Sequence, residues 1–143
     1  MTEYFTSYSG GCQCGAVRYE VTGALRGVVN CHCDMCRRFH GTYGAYTKIS
    51  DTDLSFVEDG GLTWYESSKT VRRGFCRECG ASLFWQPAGF ATTSIAAGSL
   101  DHATGLKTIG HIYTAEKSDF YEIGDDLPQY PDSASGELDN AGT

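Results

Sequence analysis

The chain has no apolar run approaching the ~20 residues that a membrane-crossing helix needs, so no such span is expected. Its first residues, MTEYFTSYSGG, carry neither a basic start nor an apolar stretch. No signal peptide is therefore expected, and the implied compartment is the cytoplasm. Positive charge is also scarce. Lys and Arg number 11 against 18 Asp and Glu, a net charge of −7. From Glu116 onward there are eight acids and one base, Lys117, so the body of the chain is neutral and its end acidic. Non-specific nucleic-acid binding runs on phosphate neutralisation and finds no support in that balance. No stretch holds a helical period over ten residues, and no internal repeat is present.

The chain does have an aromatic load of 13% within 143 residues, which excludes wholesale disorder and suits half-buried pleated surfaces. Its length fits one domain. Strand candidates are 15–21, 42–49, 54–57, 62–66, 70–75, 82–85, 93–97 and 109–114, separated by Gly, Asp and Ser clusters. Their spacing near ten residues predicts a mainly β fold: a small sandwich, barrel or folded sheet. One short helical turn is predicted over 33–40, with Asp34 as its cap and Gly41 as its stop. Residues 1–131 are expected to form the domain, and the small polar residues 132–143 a flexible acidic tail.

Cysteine carries the chemistry. The seven are Cys12, Cys14, Cys31, Cys33, Cys36, Cys76 and Cys79. An odd number without a secretion signal argues against a disulfide framework. They fall into a Cys-x-Cys, a Cys-x-Cys-x-x-Cys and a Cys-x-x-Cys group, which is the pattern of metal ligands. Two ligands from each of two turns close a tetrahedral zinc site, which pairs Cys12 and Cys14 with Cys76 and Cys79. Gly15 and Gly80 follow the second cysteine of each pair, and a glycine there permits the tight turn that aims backbone N–H groups at sulfur. The triple Cys31, Cys33 and Cys36 has no obvious fourth ligand, as in zinc sites that keep one position open. Three thiolates make zinc a weak Lewis acid and favour capture of an incoming thiol over activation of water. A second structural zinc, completed by His40 or by a residue of a partner, is the alternative for the triple.

These segments resemble the glutathione-dependent formaldehyde-activating enzyme family, which includes centromere protein V. The matching residues are Gly11-Cys12-Gln13-Cys14-Gly15, Cys31-His32-Cys33-Asp34-Met35-Cys36-Arg37 and 75–83, FCRECGASL. Gly98-Ser99-Leu100-Asp101 and His111-Ile112-Tyr113 through Tyr121 are also similar, so the likeness spans roughly residues 10–131. The resemblance implies a β-tent of antiparallel sheets. It implies a structural zinc on Cys12, Cys14, Cys76 and Cys79, and a glutathione-linked zinc on Cys31, Cys33 and Cys36. The reaction it implies is condensation of formaldehyde with glutathione to S-(hydroxymethyl)glutathione, a carbon–sulfur lyase activity.

The remaining polar residues divide between site and scaffold. Glutathione carries two carboxylates, which Arg forks suit, so Arg37 and Arg38 are its candidate contacts, with Lys48, Arg72 and Arg73 as further basic groups near the cysteine segments. His32 could orient a thiolate by a hydrogen bond, but in an alternating chain it points away from the metal. His40 is a capping or surface residue unless it serves as base or ligand. His111 is read as buried and hydrogen-bonded, His102 as solvent-facing, and Asp101 as a turn residue bonding its own backbone. Trp64, Trp85, Phe39 and Tyr43 are assigned to the core. The expected function is a zinc enzyme that uses glutathione or a similar thiol and makes or breaks thiol–aldehyde adducts, with Cys31, Cys33 and Cys36 at its centre. The alternatives are a non-catalytic zinc-binding glutathione carrier or protein-interaction module, and a redox enzyme on a related β-tent, which would need a cysteine free of metal.

Overall fold

The computed structural model describes residues 7–134 and 136–138. Residues 1–6, on which part of the signal-peptide expectation rests, lie outside that range, as do 135 and 139–143 of the acidic end. The fold is mainly β, with two sheets and, among the described residues, one α-helix. In chain order the elements are β1 (Ser7–Gly11), β2 (Arg18–Thr22), β3 (Val28–Cys31), α1 (Asp34–His40), β4 (Gly44–Ser50), β5 (Leu54–Glu58), β6 (Leu62–Glu66), β7 (Val71–Cys76), β8 (Ser82–Pro87), β9 (Thr92–Ala96) and β10 (Thr108–Ile112). All eight strand candidates exist. Two strands carry no readable alternation and were missed: β1 is built from Ser, Tyr and Gly, and β3 is buried along almost its whole length. Among the described residues, no helix is long and apolar enough to cross a membrane.

The chain divides into two compact units, Met1–Leu25 with Lys48–Gly105, and Arg26–Thr47 with Leu106–Thr143. In the first, β1, β2 and β5 form an antiparallel sheet in that order, and β6, β7, β8 and β9 pair antiparallel in succession. Alternation in β2 sends Tyr19 and Val21 fully inward while Glu20 and Thr22 face solvent. Phe84 of β8 is the hub of this core, with ring centroids 5.3 Å from Tyr19, 5.7 Å from Phe56 and 6.0 Å from Trp64. Gly10 leaves room for the Tyr19 ring, whose hydroxyl bonds Ser99 at 2.5 Å.

In the second unit β3 pairs in parallel with β10 and antiparallel with β4, which leads out of the unit. Val29 of β3 packs with Ala134 and Leu138, and Ile109, Ile112 and Tyr130 close over them. Within the described part of the acidic end, Ala134 and Leu138 are buried, and Leu138 fills the space left by Gly110. Two apolar residues suffice to dock a segment whose composition is polar.

The helix is also capped differently from expectation. The cap is Cys33, whose sulfur accepts the backbone N–H of Cys36, and Asp34 is the first helical residue. Gly41 ends the helix in the left-handed region, at φ 94°, as its sequence position predicts.

Candidate metal centres

The first centre lies in the first unit. Cys12 and Cys14 sit in the link between β1 and β2, Cys76 ends β7, and Cys79 lies in the turn to β8. Their four sulfurs lie within 4.8 Å of one another. The Cys14 sulfur is 3.8 Å from those of Cys12 and Cys76. Gly15 and Gly80 hold φ of 89° and 82° with open space where a side chain would stand, so backbone angle rather than crowding makes them glycine. The N–H of Val17 reaches the Cys12 sulfur at 3.2 Å. Burial opposes ionisation of Cys12, but this N–H and the neighbouring thiols outweigh it and lower its pKa. The backbone N–H groups around Cys79, led by Ala81, lower its thiol to about 6. None of the seven cysteines forms a disulfide. Four thiols gathered without a disulfide, with N–H groups stabilising negative sulfur, fit a thiophilic tetrahedral cation such as zinc.

The second centre lies in the second unit. Cys31 ends β3, Cys33 caps α1, and Cys36 is buried in the first turn of that helix. Their sulfurs also lie within 4.8 Å of one another, and among the described residues no fourth His, Cys, Asp or Glu ligand atom joins them. The Cys36 N–H donates to the Cys33 sulfur at 3.3 Å. Hydrogen bonds from the Cys31 and Cys36 thiols, and then backbone N–H groups, pull Cys33 down to about 2. The same thiol contacts, together with burial, push Cys31 far up. Glu116 accepts the Asp34 N–H at 2.9 Å and holds this helix start in place.

The other predicted residues fall on both sides of the expectation. Arg37 and Arg38 both turn to Asp34, at 2.6 and 3.4 Å, and the Arg38 side chain is 72% exposed. His40 lies outside the sulfur cluster, and its Nε2 bonds the Tyr46 hydroxyl at 2.6 Å. His111 is buried and hydrogen-bonded, as read. Lys48, Arg72 and Arg73 belong to the first unit, where Arg72 stacks 3.9 Å over Trp64 and bonds Gln86. Asp101 is not a local turn residue: it pairs with Arg18 at 2.6 Å and accepts from Ser9 at 2.7 Å, tying β1 and β2 to the loop after β9. Phe39 is not core but 40% exposed.

Several contributors were missed. Gly61 abuts the Cys76 sulfur, and a Cβ there would stand 2.9 Å from it. Tyr113 holds a left-handed φ of 56°, and its phenol pKa is raised by burial and by the charges of Cys31 and Cys33. Asp125 binds His111 from 14 residues away. A double glycine, a tyrosine and one acid among eight carry no sequence signal of these roles.

Residues 7–116 match the family described as glutathione-dependent formaldehyde-activating enzyme, and all seven cysteines stand inside that match. The chain belongs to this family. A curated relative from Schizosaccharomyces pombe, named an uncharacterized lyase, is 29% identical over 79 residues, 54% of this chain and 56% of its own length. The chain thus spans little more than half of that relative. The crystal structure of a Rhodobacter sphaeroides protein is similar at a TM-score of 0.55 and 27% identity, covering 85% of this chain and 98% of that one.

Proposed function

We propose that this family member is a cytoplasmic, zinc-dependent enzyme of the carbon–sulfur lyase type. It binds glutathione, or a similar thiol, and forms or breaks thiol–aldehyde adducts such as S-(hydroxymethyl)glutathione. One observation carries the reading: three cysteine sulfurs converge at the start of α1 with no fourth ligand atom among the described residues. Family membership supports the thiol and aldehyde as substrate classes, and the lyase name of the yeast relative supports the reaction class.

Cys12, Cys14, Cys76 and Cys79 would hold one zinc as a closed structural centre, and Cys31, Cys33 and Cys36 a second. Zinc bound by three thiolates lowers the pKa of a further thiol and favours sulfur in its open position. The chain's own residues supply the rest. Hydrogen bonds from the Cys31 and Cys36 thiols, and then the Cys36 N–H, favour the thiolate of Cys33. Arg37 and Arg38 lie one and two residues after Cys36, and their guanidinium donors beyond those taken by Asp34 are the proposed holders of the glutathione carboxylates. In adduct formation the thiol sulfur bonds the aldehyde carbon, and the carbonyl oxygen takes up the proton the thiol lost.

The test is turnover of glutathione and formaldehyde by protein of known zinc content, set against the spontaneous rate, with Cys33→Ser alongside. Expected are adduct formation above background in the parent, loss of glutathione binding in the variant, and a fall from about two zinc ions per chain to about one. Binding without rate enhancement would make the protein a carrier. Parental glutathione affinity in Cys33→Ser would remove the thiol from this site altogether.

A further inference from the structure

A buried polar chain adjoins the three-cysteine segment and has no part in the chemistry above. His32 stands between two of the cysteines, and on an extended segment its side chain leaves from the face opposite theirs. His32 and His111 are both fully buried. His32 Nε2 lies 2.9 Å from His111 Nδ1, and His111 Nε2 lies 3.1 and 3.0 Å from the two oxygens of Asp125. Tyr43 and Tyr121 flank the His32 ring at centroid distances of 5.1 and 6.1 Å. The main chain is held by the same strand as the ring, since the His32 N–H donates to the Ile112 carbonyl at 2.9 Å. β10 therefore grips the residue between two ligands at both its backbone and its side chain.

Proton placement along this chain has one solution for neutral rings. An ionised carboxylate only accepts, so His111 Nε2 must donate to Asp125. His111 Nδ1 is then an acceptor, and His32 Nε2 must donate to it. His32 Nδ1 is left as a lone pair, and that atom is buried with no hydrogen-bond partner among the described residues. The reverse order would face the lone pair of His111 Nε2 against the carboxylate oxygens and would bury an Nδ1–H donor on His32 with no acceptor. Asp125, half-exposed at the outer end, thus dictates the tautomer of a ring two residues deep in the chain.

We infer that His32, His111 and Asp125 form a positioning device for the three-cysteine centre, in which Asp125 sets both tautomers and the pinned His32 fixes the spread between the Cys31 and Cys33 sulfurs. The inference rests on the reading that these cysteines hold a metal, and not on the identity of the thiol. Groups that orient metal ligands from behind typically change metal affinity by about 10–100-fold when altered.

The experiment uses full-length protein, zinc-loaded for spectra of 15N-labelled histidine and cobalt-loaded for absorption. In the parent, His32 and His111 should both carry the proton on Nε2. Asp125→Ala removes the acceptor, whereas Asp125→Asn keeps an amide oxygen that can accept from His111 Nε2. Asp125→Ala should weaken cobalt binding at Cys31, Cys33 and Cys36 by about 10–100-fold and shift its d–d bands, with cobalt at the other four cysteines unchanged. Asp125→Asn and Asp125→Glu keep an acceptor and should retain the parental bands. A parent whose His32 carries its proton on Nδ1 would overturn the inference. So would parental cobalt affinity and bands in Asp125→Ala, even if its melting temperature falls. A parent that takes cobalt normally at the three cysteines but binds no glutathione sinks the proposed function and leaves this inference standing.

Discussion

At Gly61 the missing side chain is the function of the residue. A Cβ would stand 2.9 Å from the Cys76 sulfur and 2.8 Å from the Ala16 Cβ, and the backbone is tied on both sides, to the Ala16 carbonyl and the Arg77 N–H. Gly61→Ala is expected to cost about 1–3 kcal/mol as overpacking and to loosen metal at the four-cysteine centre alone. Urea unfolding and a chelator competition on each centre check this. Gly60→Ala, which meets only the flexible Glu58 carboxylate, is the control. Tyr19 gives a pH signature. Burial raises its phenol from 10.0 to about 12. The unfolded chain therefore ionises this group near pH 10 while the fold resists until about 12. The contribution of Tyr19 is complete below pH 10 and lost as pH rises to 12, about 3 kcal/mol over two units. Tyr19→Phe should flatten that part of the stability–pH curve while losing about 1 kcal/mol from the Ser99 hydrogen bond.

At the scale of elements, the C-terminal segment behaves unlike its composition. Polarity alone predicts that removing residues from Asp132 onward is harmless. Leu138 at 6% exposure and Ala134 at 8% pack on Val29 of β3, the strand that ends in Cys31. Leu138→Ala is expected to cost about 2–3 kcal/mol, and truncation after Pro131 at least as much, measured by thermal and urea unfolding. Helix α1 shows how one short element serves two ends. Its start is capped by a cysteine that is also a candidate ligand, and its end by a left-handed glycine. Gly41 has nothing within 4 Å of a would-be Cβ, so Gly41→Ala should cost only the backbone term, about 1–2 kcal/mol.

For the whole molecule, each cysteine centre lies within one compact unit. Metal removal should therefore resolve into two events. Cys79→Ser should lower the melting temperature and cost solubility, because the binding energy of a closed centre is folding energy. Cys33→Ser should leave the four-cysteine centre loaded. Zinc content and thermal unfolding of the two variants, side by side, check this separation. Equal melting temperatures for Cys79→Ser and parent would end the structural assignment of the four-cysteine centre.

The sequence by itself determined the chemistry that depends on residue type and short spacing. Thiol groups two or three residues apart must be near one another whatever the fold. The cysteine groups, the turn glycines Gly15 and Gly80 and the helix stop at Gly41 were readable for that reason. Period-two alternation revealed strands with one wet face, such as β2. It failed for β3, which is buried almost throughout, and for β1, which has no large apolar side chains to alternate. Only the tertiary structure decided which distant groups meet. Asp101 joins Arg18, Gly61 backs Cys76, Asp125 holds His111, and Leu138 covers Val29. Each contact brings together residues whose own neighbours in the chain say nothing of it. Local spacing constrains a ligand set directly, but the partners that orient it are fixed by strand pairing and core packing, which no local pattern encodes.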